Sequence, residues 1–554
     1  MQYVRFDLDG KYREIGSQVA GLSATGAGKE FRMDHFLEWV DWVGRTASIS
    51  HVLLIRKSGF ALPAGGALEN IFSAVKSLRK AGKKVLYYAV EYTMVDCVLA
   101  SACDERIIHP RGYVHGRGLA VQGLFFRSFL EKNSIDVEII RRGRYKSAGD
   151  AFLNDTYDQW NQAQLQQLLD SFMAVFQDML ISSGGFDSAL IQQLLEGKIF
   201  TAADAQKQTI VHKLETLAGL LEEFRVKKIK LRKKPKIRGA WGKGKRIALL
   251  VFEGSIIDGS SRRSPLYGQM VGDESFTAEI DRLRRDSSVA AVVLRINSGG
   301  GSPSASDSIL RALQHLDAEK PLVVSMGPTA ASGGYWMAMV GRRLFAHKTT
   351  VTGSIGVFSL FFRLDALLAK YGITTDRIVH GEHADIGSAL RPMTEKERML
   401  LDSQVEQIYQ DFLQLVAQAR KKTVEQVHSL GEGRIYSGLQ ACQHALVDSC
   451  GSLQDAIGHA AQLAGIGSNK DGSIRARITV GPQIKQSWLV KKLSQGSSVY
   501  IPDIAHAQIA EDLFALHSRP LLVSPSVSSF SIQTLTALAQ SLERLYALRD
   551  GTTR

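Results

Sequence analysis

Two side chains invite a chemical reading before any fold is considered. Ser332 lies in Thr329-Ala330-Ala331-Ser332-Gly333-Gly334-Tyr335-Trp336, after an apolar strand-like run (321–326) and before an apolar helix-like run (335–340). A hydroxyl at such a turn meets the unpaired N–H groups of a helix N-terminus. That setting suits a nucleophile whose transition state gathers negative charge. It equally suits a helix-capping serine with glycines for close packing. Lys146 lies in Gly143-Arg144-Tyr145-Lys146-Ser147-Ala148. If buried it would be neutral and able to take a proton from a serine; if exposed it is an ordinary surface lysine. His347 and Lys348 are alternative bases. His115 and His383 read as structural or exposed histidines.

The elements that would carry these residues alternate strand and helix, the mark of a parallel sheet. Strand-like runs fall at 51–55, 84–90, 107–110 and 137–140, with helical stretches at 68–78, 94–101, 125–133 and 156–181. The order then repeats. Residues 290–297 match the strand at 51–55, 321–326 the strand at 84–90, 371–381 the segment 133–143, and 433–441 the segment 197–205, all at offsets of 236–240 positions. Such a constant offset indicates a duplicated domain. The expected organisation is a first domain at 1–224, a basic linker at 225–246, a second domain at 247–465, and an extension at 466–554 to which no role is assigned.

The two copies kept different residues. Met94, Val95 and Asp96 stand opposite Ser332, Gly333 and Gly334, and Ala384 stands opposite Lys146. Gly59-Phe60-Ala61 faces Gly299-Gly300-Gly301, and Val114-His115-Gly116-Arg117-Gly118 faces Thr352-Gly353-Ser354-Ile355-Gly356. One copy therefore holds a serine with glycine-rich turns, whose amides could stabilise an oxyanion. The other holds the lysine.

Composition narrows the function classes. The chain has 554 residues, too many for one core, with 45% hydrophobic residues. Twelve Lys or Arg and no acid fall between 225 and 246, leaving 56 basic against 55 acidic residues elsewhere. The charge excess is thus one stretch, suited to a solvated connector or to contact with anionic lipid or nucleic acid. It gives no support to nucleic-acid binding by the folded domains. Cys97, Cys103, Cys442 and Cys450 form no Cys-x-x-Cys pair, so neither a zinc site nor a disulfide framework is expected. No apolar run reaches about 18 residues, and the first residues lack a signal-peptide pattern.

Four motifs together carry a family likeness: Arg295-Ile296-Asn297-Ser298-Gly299-Gly300-Gly301-Ser302, Ala330-Ala331-Ser332-Gly333-Gly334-Tyr335-Trp336, Thr352-Gly353-Ser354-Ile355-Gly356-Val357 and Tyr145-Lys146-Ser147-Ala148. In this order they resemble the signal peptide peptidase A (protease IV) family, in its long, tandem-duplicated bacterial form. The resemblance implies an α/β chain of two ClpP/crotonase-like domains, built of repeated ββα units. It implies a serine endopeptidase with a Ser-Lys dyad across the halves: Ser332 as nucleophile, Lys146 as general base, and Ser354 holding the lysine amine. Gly300 and Gly333 would supply the oxyanion hole, and no cofactor or metal is implied. It further implies a bowl-shaped homotetramer in the cell envelope, membrane-associated, cleaving released signal peptides and other unfolded hydrophobic segments. Two departures stand out: Gly299 replaces the family's usual proline, and the long form's N-terminal membrane anchor is not visible. A crotonase-type acyl-CoA enzyme and a non-catalytic scaffold of the same fold are the competing readings.

Overall fold

The computed structural model describes residues 2–14, 29–60, 62–184, 186–233, 240–264, 268–467, 474–481 and 522–523. The Ser-rich run at 524–531, the helical pattern at 535–548 and the middle of the basic stretch (234–239) lie outside the described residues.

Each half is built on a parallel sheet. In the first, the strands run Lys213–Leu214, Glu105–Ile108, Lys84–Ala89, Ile49–Arg56, Gln2–Leu8 and Lys230–Leu231 across the sheet. In the second, Ala476–Val480, Lys245–Glu253, Val289–Ser298, Leu322–Ala331, Leu344–Ala346 and Ser449–Cys450 lie parallel in that order. Strand Ala240–Gly242 is antiparallel at its edge. The central strands are nearly unbroken apolar runs because both faces are covered. Their alternation still sorts the two faces. Ile247, Leu249 and Val251 join a core shared with the first half, whereas Ala248, Leu250 and Phe252 join a core drawn from the second half together with Ile140 of the first. The halves are therefore packed into one another.

Two long helices, Gln159–Ser182 and Glu395–Arg420, occupy equivalent places in the repeat. The symmetry breaks at the strand before Lys146. Asp136–Arg142 pairs antiparallel with Val357–Arg363 of the second half, along its whole length. Phe126, Ile135 and Phe152 pack with Phe358, Leu360 and Phe362 beneath this ladder. The matching segment 374–380 is neither strand nor helix, although its sequence repeats the pattern of 136–142. The counterpart of Val357–Arg363, residues 119–125, is likewise without regular structure. An edge segment adopts strand form only when a partner satisfies its backbone, and within one chain only one of the two equivalent ladders forms. Among the described residues no helix is long and apolar enough to cross a membrane.

Candidate active site

Ser332 ends the strand Leu322–Ala331 and precedes the short helix Gly333–Ala338. Its backbone lies at φ +55°, ψ −119°, a conformation a residue with a Cβ holds only when its surroundings impose it. Those surroundings are hydrogen bonds. Ser332 N–H donates to Gly353 O at 2.8 Å, and Ser332 O accepts from Trp336 N–H at 2.8 Å. A capping serine would turn its hydroxyl onto an amide of the first helical turn. This one makes no such bond. Its Oγ lies instead 2.8 Å from Lys146 Nζ, 186 positions away in sequence.

Lys146 is 1% exposed, and burial alone holds its amine well below the usual lysine range. Its Nζ also donates to Ser354 Oγ at 2.9 Å and to Ser354 O at 3.2 Å. A neutral amine has two N–H bonds and one lone pair. With Ser354 taking both N–H bonds, the lone pair is left to accept the Ser332 hydroxyl proton. Ser354, at φ +53°, is held by its own N–H donating to Arg434 O at 2.7 Å.

The lysine reaches the serine because its turn is clamped by the second half. Tyr145 N–H donates to Glu432 O at 2.8 Å, and the Arg144 guanidinium pairs with the Glu432 carboxylate at 2.6 Å. Gly433, at φ +78°, lies so close that a Cβ there would fall 2.5 Å from Lys146 Cβ. Gln164, from the long helix of the first half, is buried and fully used. It donates to Tyr145 O and Ser147 Oγ and accepts from Ile435 N–H. Neither Gly433 nor Gln164 carries a chemical signature in sequence; the repeat of residues 433–441 at 197–205 marked the segment without showing its use.

The glycine turns meet beside the serine. A Cβ on Gly333 would lie 2.6 Å from Ser306 Oγ and 3.3 Å from Gly300 Cα, so both positions need to be small. Gly300 is at φ +108° and its N–H donates to Ser298 Oγ at 3.1 Å. Gly300–Gly301 forms a short strand against Ile256, and Leu522–Val523 pairs antiparallel on its other edge. The alternative bases are elsewhere engaged. Lys348 Nζ pairs with Asp178 at 2.7 Å. His347 is buried beside Glu69, and desolvation keeps its ring neutral. His115 and His383 lie beside Glu91 and Glu382.

The peptidase family S49 profile matches twice, at residues 77–230 and 314–467. The chain belongs to peptidase family S49. The two S49 matches begin 237 positions apart (314 − 77), the offset of the internal repeat, and they contain Lys146 and Ser332 respectively. Protease 4 of Haemophilus influenzae is 31% identical over 72% of this chain and 67% of its own length. Protease 4 of Salmonella typhi is 30% identical over 72% of this chain and 66% of its own. The chloroplastic serine protease SPPA of Arabidopsis thaliana is 30% identical over 73% of this chain and 62% of its own. The chain thus aligns with about two thirds of these S49 relatives. Among solved structures, ClpP1 from Listeria monocytogenes matches with TM-score 0.24 and 14% identity, over 38% of this chain and 92% of that one. The resemblance to signal peptide peptidase A is borne out, and with it a serine-type peptidase.

Proposed function

We propose that Ser332 is the nucleophile and Lys146 the general base of a peptide-bond hydrolase. The observation that carries this is the 2.8 Å contact between a buried lysine amine and a strained, uncapped serine from the other half. Lys146 takes the hydroxyl proton as Ser332 attacks the scissile carbonyl, and the resulting ammonium returns that proton to the leaving amine. Water then cleaves the acyl-enzyme with the same base. Ser354 orients the amine. The Gly333 amide, at a helix N-terminus, receives the oxyanion, together with Gly300 once its N–H turns from Ser298 Oγ. Each half is a ClpP/crotonase-like domain, centred on 1–224 and 247–465. The basic stretch 225–246 between them gives Lys230–Leu231 to the first sheet and Ala240–Gly242 and Lys245–Arg246 to the second, and the extension at 466–554 gives Ala476–Val480 to the second.

The substrate is an extended, unfolded hydrophobic peptide, a released signal peptide among them, bound as an added strand on Gly300–Gly301. The antiparallel seat of Leu522–Val523 on that edge supports this mode. The chain assembles as a homotetramer. In support, the two segments left without a ladder expose apolar side chains: Val121 (45%) and Leu124 (50%) in one, Ile378 (100%) and Val379 (40%) in the other. Pairing 119–125 of one protomer with 374–380 of the next would reproduce, between chains, the ladder already made within one. The basic stretch contacts a membrane surface of the cell envelope.

An unstructured fluorogenic peptide tests the chemistry. Ser332→Ala and Lys146→Ala should each lose at least ~10³-fold in kcat while keeping the wild-type circular dichroism. Substantial activity of Lys146→Ala near neutral pH would sink the dyad. Light scattering tests the assembly: four protomer masses for the wild type, and a smaller species for Ile378→Asp.

A further inference from the structure

Cys442 and Cys450 are eight positions apart, a spacing with no metal or redox signature. The fold nevertheless brings their sulfurs to 2.6 Å. Cys442 sits on the helix Gly438–Gln443, and Cys450 ends the edge strand Ser449–Cys450, opposite Ala346. The turn between them is built to return. Ala445 adopts φ +54°, and Leu446 N–H donates back to Ala441 O at 2.8 Å. Both thiols are half-buried, within reach of small reagents. The other two cysteines differ on every count. Cys97 and Cys103 are fully buried in the first half, and burial pushes both thiols up.

We propose that Cys442 and Cys450 are a modification site that forms a reversible disulfide. Cys450 is the attacking sulfur. Its thiolate is favoured chiefly by the hydrogen bond that Cys442 donates to it, against burial and the Glu69 carboxylate, with the Lys348 charge a smaller help. The Cys450 thiolate attacks one sulfur of a small disulfide such as glutathione disulfide and releases one thiolate. Cys442 then gives its proton to solvent and attacks the Cys450 sulfur, expelling the second thiolate. Two protein thiols are oxidised, and one disulfide is reduced to two thiols.

The position gives this bond a consequence. The helix carrying Cys442 starts at Ser437, whose Oγ meets Ser171 Oγ of the first half at 2.6 Å. The strand just before it, Ile435–Ser437, pairs with Val351–Gly353, the segment that leads into Ser354. A bridge to Cys450 ties this arm to the sheet edge. In a reducing compartment the pair stays a dithiol, and in an oxidising one it closes.

The test uses the full chain treated with glutathione disulfide, then denatured for thiol counting and peptide mapping. The expected result is loss of two of the four titratable thiols, a cross-linked peptide pair holding Cys442 and Cys450, and full reversal by reductant. Oxidised wild type should melt a few degrees above the reduced form, and Cys450→Ser should show no such difference. Four remaining thiols, glutathione carried separately on each cysteine, or a bridge mapped to Cys97 or Cys103 would overturn the proposal. An unchanged melting transition in the bridged protein would overturn its tie to the arm.

Discussion

The strands Lys84–Ala89 and Leu322–Ala331 hold equivalent places in the two sheets, and each runs into a short helix. In the first half the turn serves stability. Thr93 caps the helix from an ordinary extended backbone, Asp96 completes the capping box, and the Asp96 carboxylate also accepts from Tyr87 Oη at 2.5 Å and forms an ion pair with Arg56 at 2.6 Å. In the second half the same turn carries a strained serine with no capping bond, and a glycine replaces the aspartate. The lysine turns contrast in the same way. Lys146 is buried against the other half, whereas its counterpart Ala384 belongs to a turn held by Arg391 between Asp385 and Glu397. Each copy stabilises the turn it does not use with side chains of its own half, whereas the Lys146 turn is held by Glu432 of the other half and the Ser332 turn keeps a strained, uncapped backbone. Duplication allowed this, since one sheet need not do both jobs.

The sharpest way to break the contrast, after removal of Ser332 or Lys146 themselves, is to separate the two halves of the site without touching either. Gly433→Ala places a Cβ 2.5 Å from Lys146 Cβ, at a backbone φ of +78° that already disfavours a side chain. The lysine turn must shift. A displacement of about 1 Å in a catalytic group costs ~10²-fold, so kcat should fall by roughly that factor with little change in KM. An unchanged kcat would mean that the 431–434 turn does not set the lysine's position. Ser354→Ala removes one of the amine's acceptors but leaves the backbone carbonyl, and a loss of ~10-fold is expected, within the ~1–1.5 kcal/mol of one hydrogen bond.

The same contrast explains what sequence could reveal. Ser332 and Lys146 were legible because the repeat supplied an internal control: each residue sits where its own copy departs from the other. The parallel sheets were legible from buried strand runs at a fixed offset. Gly433 was not, because its use depends on a contact with a residue 287 positions earlier (433 − 146), and a glycine carries no other mark. The lack of a strand at 374–380 was equally hidden. Its sequence repeats that of 136–142, and only the absence of an intrachain partner distinguishes the two. The Cys442–Cys450 contact depends on one left-handed residue, Ala445, which no composition rule singles out.

Acidity probes the buried amine from both sides. Burial holds its native pKa well below the usual lysine range. Activity should therefore climb with pH as one proton leaves Lys146, and a flat profile between about pH 5 and 9 would remove lysine as the base. Stability carries the matching sign. Between the depressed native value and the unfolded value, the unfolded chain binds one more proton, so this residue makes unfolding harder as pH rises across that window. In Lys146→Met that slope should vanish, and denaturant titrations at neutral and alkaline pH would then differ less than for wild type.

The smallest effects test the turns directly, with a loss expected at Thr93 and none at Ser332. Thr93→Ala removes a cap and the hydroxyl that donates to Asp96 at 2.6 Å, costing ~1 kcal/mol. Ser332→Gly removes no capping bond and relieves a Cβ held at φ +55°, a conformation that costs ~1 kcal/mol or more. Part of that gain is returned, because glycine widens the unfolded ensemble by ~0.4–1 kcal/mol, and the lost Lys146 contact works in the same direction. A net change between zero and a slight gain is expected for Ser332→Gly in denaturant midpoints, against a clear loss for Thr93→Ala. If Ser332→Gly instead cost as much as Thr93→Ala, the serine would be stabilising its helix after all, and the opposed use of the two turns would fail.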